Sequence, residues 1–223
     1  MLICSIGRFV VFGLAASAAF GQPRWFVGGG TGLSTLSGDA RSVVTPASTG
    51  ISQYKPENGP LAHVFAGRHW RDYLSFQGAW SWNRNDLALL STRIDGGAES
   101  TYEQARKSRQ HSVAGDAMLY FRGRDSFVRP YLSVGVGVMS FRSHSAQLRI
   151  VKGSPVPPPD QFKATKPGLR AAAGIELMRR SGWGFRYTFL ETIQGNPVSA
   201  QLSPKGERGL ANFQNLFGLV KYF

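Results

Sequence analysis

The stretch that decides the fold is residues 210–223, with the sequence LANFQNLFGLVKYF. In steps of two, one side of this segment carries Phe213, Phe217, Leu219 and Phe223, and the other carries Asn212, Gln214 and Gly218. A period of two with one apolar side predicts a β-strand. Because an apolar strand at an open sheet edge invites aggregation, whereas a closed barrel pairs both of its edges, we predict that this strand closes a β-barrel.

Seven further segments have strand-like patterns, at 25–36, 61–70, 73–84, 108–122, 128–141, 168–178 and 183–192. The clearest is 73–84, whose even positions include Leu74, Phe76, Trp80 and Trp82. Short connections near residues 71, 124 and 181 alternate with long polar stretches at 37–59, 85–107, 142–166 and 193–208, and part of the second stretch, 98–107, could form one or two helical turns. The prediction is therefore all-β: an eight-stranded antiparallel up-and-down barrel with three short turns and four long loops.

The N-terminus has the pattern of a secretory signal. Arg8 precedes an apolar run at 9–20, which is followed by small residues that place cleavage between Ala19 and Gly21. We predict a signal peptide at 1–21 and a barrel domain at 22–223. Cleavage would remove Cys4, the only cysteine, so we expect no disulfide in the mature domain.

The charge pattern bears on possible partners. The net charge of +13 comes from basic residues that are scattered along the chain, without a run of five or six, so we do not predict nucleic-acid binding. Six of these residues lie near the short connections and would suit anionic lipid headgroups: Arg68, Arg71, Arg122, Arg124, Arg179 and Arg180.

The alternating pattern alone fits both a membrane barrel and a soluble, lipocalin-like binder of apolar ligands. Five charged residues fall on the polar sides of strands among Gly and Ala, as suits a narrow lumen filled by side chains: Asp116, Arg129, Arg170, Glu176 and Arg186. Aromatic residues gather in two groups, one near the short turns (Trp25, Trp70, Phe121, Trp183, Phe223) and one near the long loops (Trp80, Trp82, Phe141, Phe213). Two aromatic belts are typical of a membrane barrel, which is the fold that we favour.

This interpretation assigns faces to the strands. We predict that thirteen residues face lipid: Leu74, Phe76, Trp80, Trp82, Leu119, Phe121, Leu132, Val134, Val136, Phe185, Tyr187, Phe217 and Leu219. Lys221 is on the same side, where its stem can lie along apolar surface and its ammonium can reach the headgroups. Asn215 is also on this side, and nothing in the sequence explains it.

The succession of short turns, long loops and an aromatic C-terminal strand resembles the OmpA-transmembrane/OmpX-type family of eight-stranded outer-membrane barrels. The resemblance extends over nearly all of residues 22–223. It implies the outer membrane of a Gram-negative-type cell, with short turns on the periplasmic side and long loops outside. It also implies a monomer surrounded by outer-membrane lipids, and recognition of the last strand, with Phe223 as an assembly signal, by the outer-membrane assembly machinery. The chain departs from the family at its third residue from the end, where Lys221 replaces the preferred aromatic residue.

The sequence predicts no catalytic, metal-binding or cofactor-binding residue. The four histidines (His63, His69, His111, His144) have no second ligand at metal-binding spacing, and none has the Ser two residues on that barrel lipid-A deacylases of similar size show. We expect a structural or interaction role through the external loops, whose ligand the sequence does not specify. A narrow conduit for small or hydrophobic solutes and a lipid-A-modifying enzyme are the alternatives.

Overall fold

The computed structural model describes residues 25–38, 41–44, 48–56, 58–157, 160–195 and 209–223. The predicted signal peptide at 1–21 lies outside the described residues, as do residues 196–208 of the fourth predicted loop. Ten strands form one antiparallel sheet: β1 Trp25–Gly38, β2 Arg41–Val44, β3 Ser48–Pro56, β4 Asn58–His69, β5 Leu74–Asp95, β6 Ala98–Tyr120, β7 Val128–Lys152, β8 Gln161–Met178, β9 Trp183–Gly195 and β10 Gly209–Tyr222.

Eight of these strands close into a ring. The ring runs β1, β4, β5, β6, β7, β8, β9 and β10, and β10 pairs back onto β1. At the seam, the amide of Phe223 donates to the carbonyl of Trp25 at 2.9 Å, and the amide of Trp25 donates in return at 3.3 Å. Strands β2 and β3 lie outside the ring, where β3 pairs with the second half of β5. The predicted eight-stranded ring, closed by the last strand, is thus confirmed.

The strands are staggered around the ring. A line of paired residues runs from Asn83 through Leu61, Gly32, Leu216, Thr188, Gly174, Tyr131 and Tyr120 to Tyr73. After one circuit of the ring, the line therefore meets β5 again ten residues away from the residue at which it began. Such a stagger tilts barrel strands by about 35–45°, and at eight strands it leaves an interior that side chains can fill.

The three short turns lie where they are predicted. The first closes with a 2.9 Å hydrogen bond from the amide of Trp70 to the carbonyl of Leu74, and the second with a 3.1 Å bond from Ser126 to Gly123. In the third, Gly182 has a φ of +77°, which favours glycine, and its amide donates to Arg179 at 3.0 Å. All three turns lie at one end of the barrel, which we call the short-turn end.

At the opposite end, the predicted loop boundaries are wrong. Residues 85–107 form no loop and no helical turn, because β5 and β6 continue to a two-residue turn at Gly96 and Gly97, whose φ values are +54° and +85°. The stretch 37–59 contains β2 and β3, and β7 extends eleven residues beyond Phe141. Hydropathy does not reveal the added parts of β6 and β7 because polar residues occupy both of their faces. No helix in the described part of the chain is long and apolar enough to cross a membrane.

Candidate functional site

The interior of the ring holds many charged and polar side chains beside three apolar clusters, and its outer wall is apolar. Buried side chains include Arg106, Arg129, Arg170, Glu176 and Arg186, together with many Ser, Asn and Gln. The outer wall exposes large apolar side chains on every strand of the ring. An outer wall of large apolar side chains is the arrangement of a membrane barrel and argues against the lipocalin-like alternative.

A buried carboxylate lies at the centre of the lumen near the short-turn end. Glu176 accepts hydrogen bonds from the hydroxyls of Tyr222 at 2.6 Å and Tyr120 at 3.0 Å. It also forms ion pairs with Arg186 and, at 3.4 Å, with Arg129. The Arg129 guanidinium lies 4.0 Å from the ring centre of Tyr120, which adds a cation–π contact. Two cations and two hydroxyls therefore satisfy one buried anion from four different strands.

A second buried ion pair lies further along the lumen and connects to the first. Nε of Arg170 is 3.3 Å from Oδ1 of Asp116, without the direction of a good hydrogen bond. The side-chain amide of Gln77 donates to Asp116 at 3.3 Å, and its carbonyl oxygen accepts from Arg186 at 2.6 Å. The five charged residues singled out from the sequence are thus linked through Gln77 into one set of contacts, which we call the lumen network.

Two further polar groups lie in the lumen, one around Asn212, which the sequence places on the polar side of its strand, and one around Arg106, which it places in a loop. Asn212 donates to Gln110 at 2.8 Å and accepts from Ser34 at 2.6 Å, so that three strands meet at one side chain. Nearer the external end, Arg106 is buried and donates to Ser143 at 3.1 Å and to Gln104 at 2.8 Å. Arg106 falls in a stretch predicted as loop. The one sequence signal for its inward side chain is the even numbering that it shares with Gln104 and Gln110, which point the same way.

Side chains fill the lumen at the level of this network. Two voids there, both bordered by His63 and Arg186, have volumes of about 10 Å³ each. A cavity needs roughly 10–15 Å³ of such volume to hold one water molecule. A wider vestibule of about 800 Å³ opens at the short-turn end and has Arg129 and Tyr222 in its wall. The packed side chains at the level of the lumen network therefore close the inner end of the vestibule.

All thirteen residues predicted to face lipid have their side chains on the outer wall, where ten are exposed and three, Leu74, Trp82 and Tyr187, are half-buried. Phe141 is an error in the predicted outer aromatic group, because its side chain points inward and is 1 % exposed. Lys221 also differs from the prediction: its ammonium donates to the carbonyl of Ser181 at 2.8 Å and lies over the Trp183 ring.

A cavity of about 1040 Å³ lies along the outer wall, where Gly78, Gly115 and Ala117 leave a low surface beside Phe76 and Val136. The strands behind it remain hydrogen-bonded to one another, so the wall is continuous there.

Among the six basic residues near the short turns, Arg68 stacks over Trp25 at 5.2 Å and Arg124 pairs with Asp72, whereas the other four are exposed.

The histidines are separated by the wall. His63 and His69 are buried in the lumen, whereas His111 and His144 are exposed outside. Ser140 is the register partner of His111 on the next strand, a pairing that sequence spacing could not show. The outward neighbours of this pair are Trp82, Arg109, Val113, Val138, Arg142 and Thr165, none of which could act as the acid of a hydrolytic triad. Within the described residues, no three His, Cys, Asp or Glu side chains form a metal-binding group.

Comparison with known proteins agrees with this architecture. The model of a family described as "Outer membrane protein beta-barrel domain" matches residues 8–207. The structure of Neisserial surface protein A superposes with a TM-score of 0.54 at 14 % identity, over 92 % of this chain and 100 % of that one. Ail of Yersinia pestis gives 0.49 at 11 % identity, over 91 % and 100 %, and the N-terminal barrel of Pseudomonas aeruginosa OprF gives 0.44 at 11 %, over 91 % and 100 %. At 14 % identity, the likeness to Neisserial surface protein A concerns the fold alone. No curated protein matches the chain significantly.

Proposed function

The chain belongs to the outer-membrane β-barrel family and lies in the outer membrane of a Gram-negative cell, and from that premise we propose that it is a closed barrel whose external strands bind a partner outside the cell. Its lumen network acts as a plug, and its thirteen outward apolar residues face the hydrocarbon of the bilayer. The protein works as a monomer without a cofactor, and the assembly machinery recognises it through β10 and Phe223.

The observation that carries the proposal is the length of three neighbouring strands. β5, β6 and β7 contain 22, 23 and 25 residues, whereas about 9–11 residues span a bilayer as a tilted strand. Roughly half of each strand is therefore available to project beyond the membrane. Since folding such a projection costs conformational entropy, a role outside the cell is the simplest reason for it.

The projection also has the surface of a binding site. Ile94, Leu148, Ile150 and Val151 are each between 39 % and 57 % exposed near its tip. The pairing of β7 with β8 ends at His144, so that the stretch of β7 beyond it has an edge not covered by β8. Bulges in β7 opposite the steps Ala105/Arg106 and Thr101/Tyr102 bend this part of the sheet. An edge that no described strand covers, with apolar side chains beside it, suits a protein partner that adds a strand.

The plug argues against the conduit alternative. The voids beside His63 and Arg186 are each about the size of one water molecule. Transport would require the ion pairs of Glu176 and Asp116 to separate inside a medium of low dielectric constant, which is costly. The enzyme alternative has the outward His111 and Ser140 as its best candidates, without an acid among the neighbours named above.

Two measurements test the proposal. Purified protein in planar bilayers should give no steady single-channel current, and sustained currents would contradict the plug. Cells displaying the full chain should adhere to at least one of a panel of immobilised extracellular proteins. The triple variant I94K/I150K/V151K should lose that adhesion while still migrating faster on a gel unheated than boiled, as a folded barrel does. Equal adhesion of both chains to every protein would refute the external role.

A further inference from the structure

A row of four basic side chains crosses the outer wall from β5 to β8. The row consists of Arg84, Arg109, Arg142 and Lys163, each the direct register partner of the next, and all four are exposed. With strands about 4.8 Å apart, the row is roughly 14 Å long. We call it the cationic row.

Five rows of outward side chains lie below the cationic row, and the first four of them are apolar. Starting nearest the short-turn end, the first is Leu74, Leu119, Leu132 and Ala173, and the fourth is Trp80, Val113, Val138 and Pro167. The fifth, next to the cations, combines Trp82 with His111, Ser140 and Thr165, the mixture typical of an interface. Ten residues separate Leu74 from Arg84, which corresponds to roughly 25 Å of height on a tilted strand and matches the height of the apolar band of such barrels. Arg84 therefore lies at the outer boundary of the hydrocarbon, and the tilt of the strands carries the row about 9 Å further out by Lys163, into the headgroup layer.

The described part of the chain supplies no carboxylate to the cationic row. None of the six ion pairs among the described residues includes one of its members. The nearest acid in register, Asp86, is in the row above and faces Lys107. Like charges placed directly opposite one another destabilise a sheet. Among the described residues, a row of four cations is thus unfavourable, and an anion beside it would relieve the repulsion.

We propose that the cationic row binds the phosphate groups of an anionic, phosphorylated glycolipid of the outer leaflet. The planar fork of arginine fits phosphate oxygens two at a time, and the ammonium of Lys163 adds a compact charge. The acyl chains of the same lipid lie over the apolar rows below and cover the low surface at Gly78 and Gly115. A soluble phosphate compound would use only the charges, whereas a lipid uses the charges and the apolar rows together, and we therefore assign the site to a lipid. This site is independent of the partner proposed for the external projection.

The test compares two variants of equal charge. The first, R84Q/R109Q/R142Q/K163Q, removes the cationic row. The second, R71Q/R122Q/R179Q/R180Q, removes four exposed cations at the short-turn end. Purified full-length protein is incubated in detergent with lipid A carrying two phosphates, with lipid A whose phosphates have been removed, or with phosphatidylglycerol, and retained lipid is counted by native mass spectrometry.

The wild type and the short-turn variant should retain bisphosphorylated lipid A in preference to the other two lipids. The cationic-row variant should retain at least about tenfold less of it, a change equivalent to the loss of several charge-assisted contacts. Equal retention by both variants, or equal loss from both, would overturn the proposal. So would displacement of the lipid by inorganic phosphate at millimolar concentration, because the site would then be one for free anions.

Discussion

The hydroxyl of Tyr187 donates a hydrogen bond of 2.9 Å to Oδ1 of Asn215 on the outer wall. The two residues are on neighbouring strands, Asn215 lies two residues from the register partner of Tyr187, and both are half-buried. Phe217, the register partner of Tyr187, packs its ring 5.1 Å from that of Tyr187. The sequence does not explain why Asn215 lies on the apolar side of its strand. The structure gives its side-chain amide a hydrogen-bond partner within the apolar wall.

Removing this donor should destabilise the barrel. In Y187F the carbonyl of Asn215 would face hydrocarbon without its partner, and we expect a loss of about 1–2 kcal/mol in the free energy of unfolding. The double variant Y187F/N215L should recover most of this loss, because no polar group is then left unsatisfied. Urea unfolding in lipid vesicles, followed by tryptophan fluorescence, measures both variants, and a double variant that is no more stable than Y187F would contradict the explanation.

Neutralising the central carboxylate of the lumen network should cost more. E176Q leaves Arg129 and Arg186 buried without their counter-charge, and we expect a loss of roughly 3–5 kcal/mol. The triple variant R129M/E176L/R186M should lose less than E176Q, since an apolar core avoids the unpaired charges. The same unfolding assay decides the question, and a triple variant that is less stable than E176Q would show that the ion pairs contribute net stability.

Two glycines on neighbouring strands offer a matched comparison. A Cβ on Gly135 would overlap the Asp116 carboxylate and the carbonyl of Gly115, whereas a Cβ on Gly115 has nothing within 4 Å. We expect G135A to displace Asp116 from Arg170 and to cost about 1–3 kcal/mol, as overpacking does in other cores. G115A should leave the free energy of unfolding nearly unchanged. Similar losses in both variants would indicate a general effect of glycine rather than crowding at Asp116.

Deleting Phe223 should impair assembly. The deletion removes both backbone hydrogen bonds that join Trp25 and Phe223 at the seam, and with them the last exposed aromatic side chain of β10. The fraction of folded barrel recovered from outer membranes, read from the gel shift on heating, should fall severalfold. The control is a two-residue insertion between Gly96 and Gly97, at the far end of the molecule, which should assemble normally. Normal recovery of the deletion would contradict a role for Phe223 in assembly.

The eight strands of the ring and their faces could be predicted because hydropathy alternates wherever one side meets lipid. The resemblance to outer-membrane barrels, drawn from that alternation, is confirmed by the family match. Phe141 shows how the rule was misapplied: its odd position places it inward with Tyr131 and Met139, but its distance from the short turns suggested the outer aromatic group. In 98–107 the side chains alternate between buried and exposed, but hydropathy does not show this because both sets are polar. Gln104 and Arg106 are buried, and Glu103 and Lys107 are exposed.

The contacts of the lumen network could not be predicted in the same way. Position in the strand indicates that Arg186 and Gln77 point inward, but the hydrogen bond between them joins residues 109 positions apart. Such a contact depends on the stagger and the closure of the ring, and neither follows from local pattern. The cationic row is another example, because its members become neighbours only through the register of four strands.

The seam between β1 and β10 also constrains how the protein can fold. Val27 pairs with Lys221, so these contacts join positions almost two hundred residues apart in the sequence. Proteins rich in such distant contacts fold slowly, because a long loop must close before any stabilising contact forms. During that delay both β1 and β10 expose an unpaired edge. The ring can therefore close only late in folding, and until it closes these two edges are open to pairing with other chains.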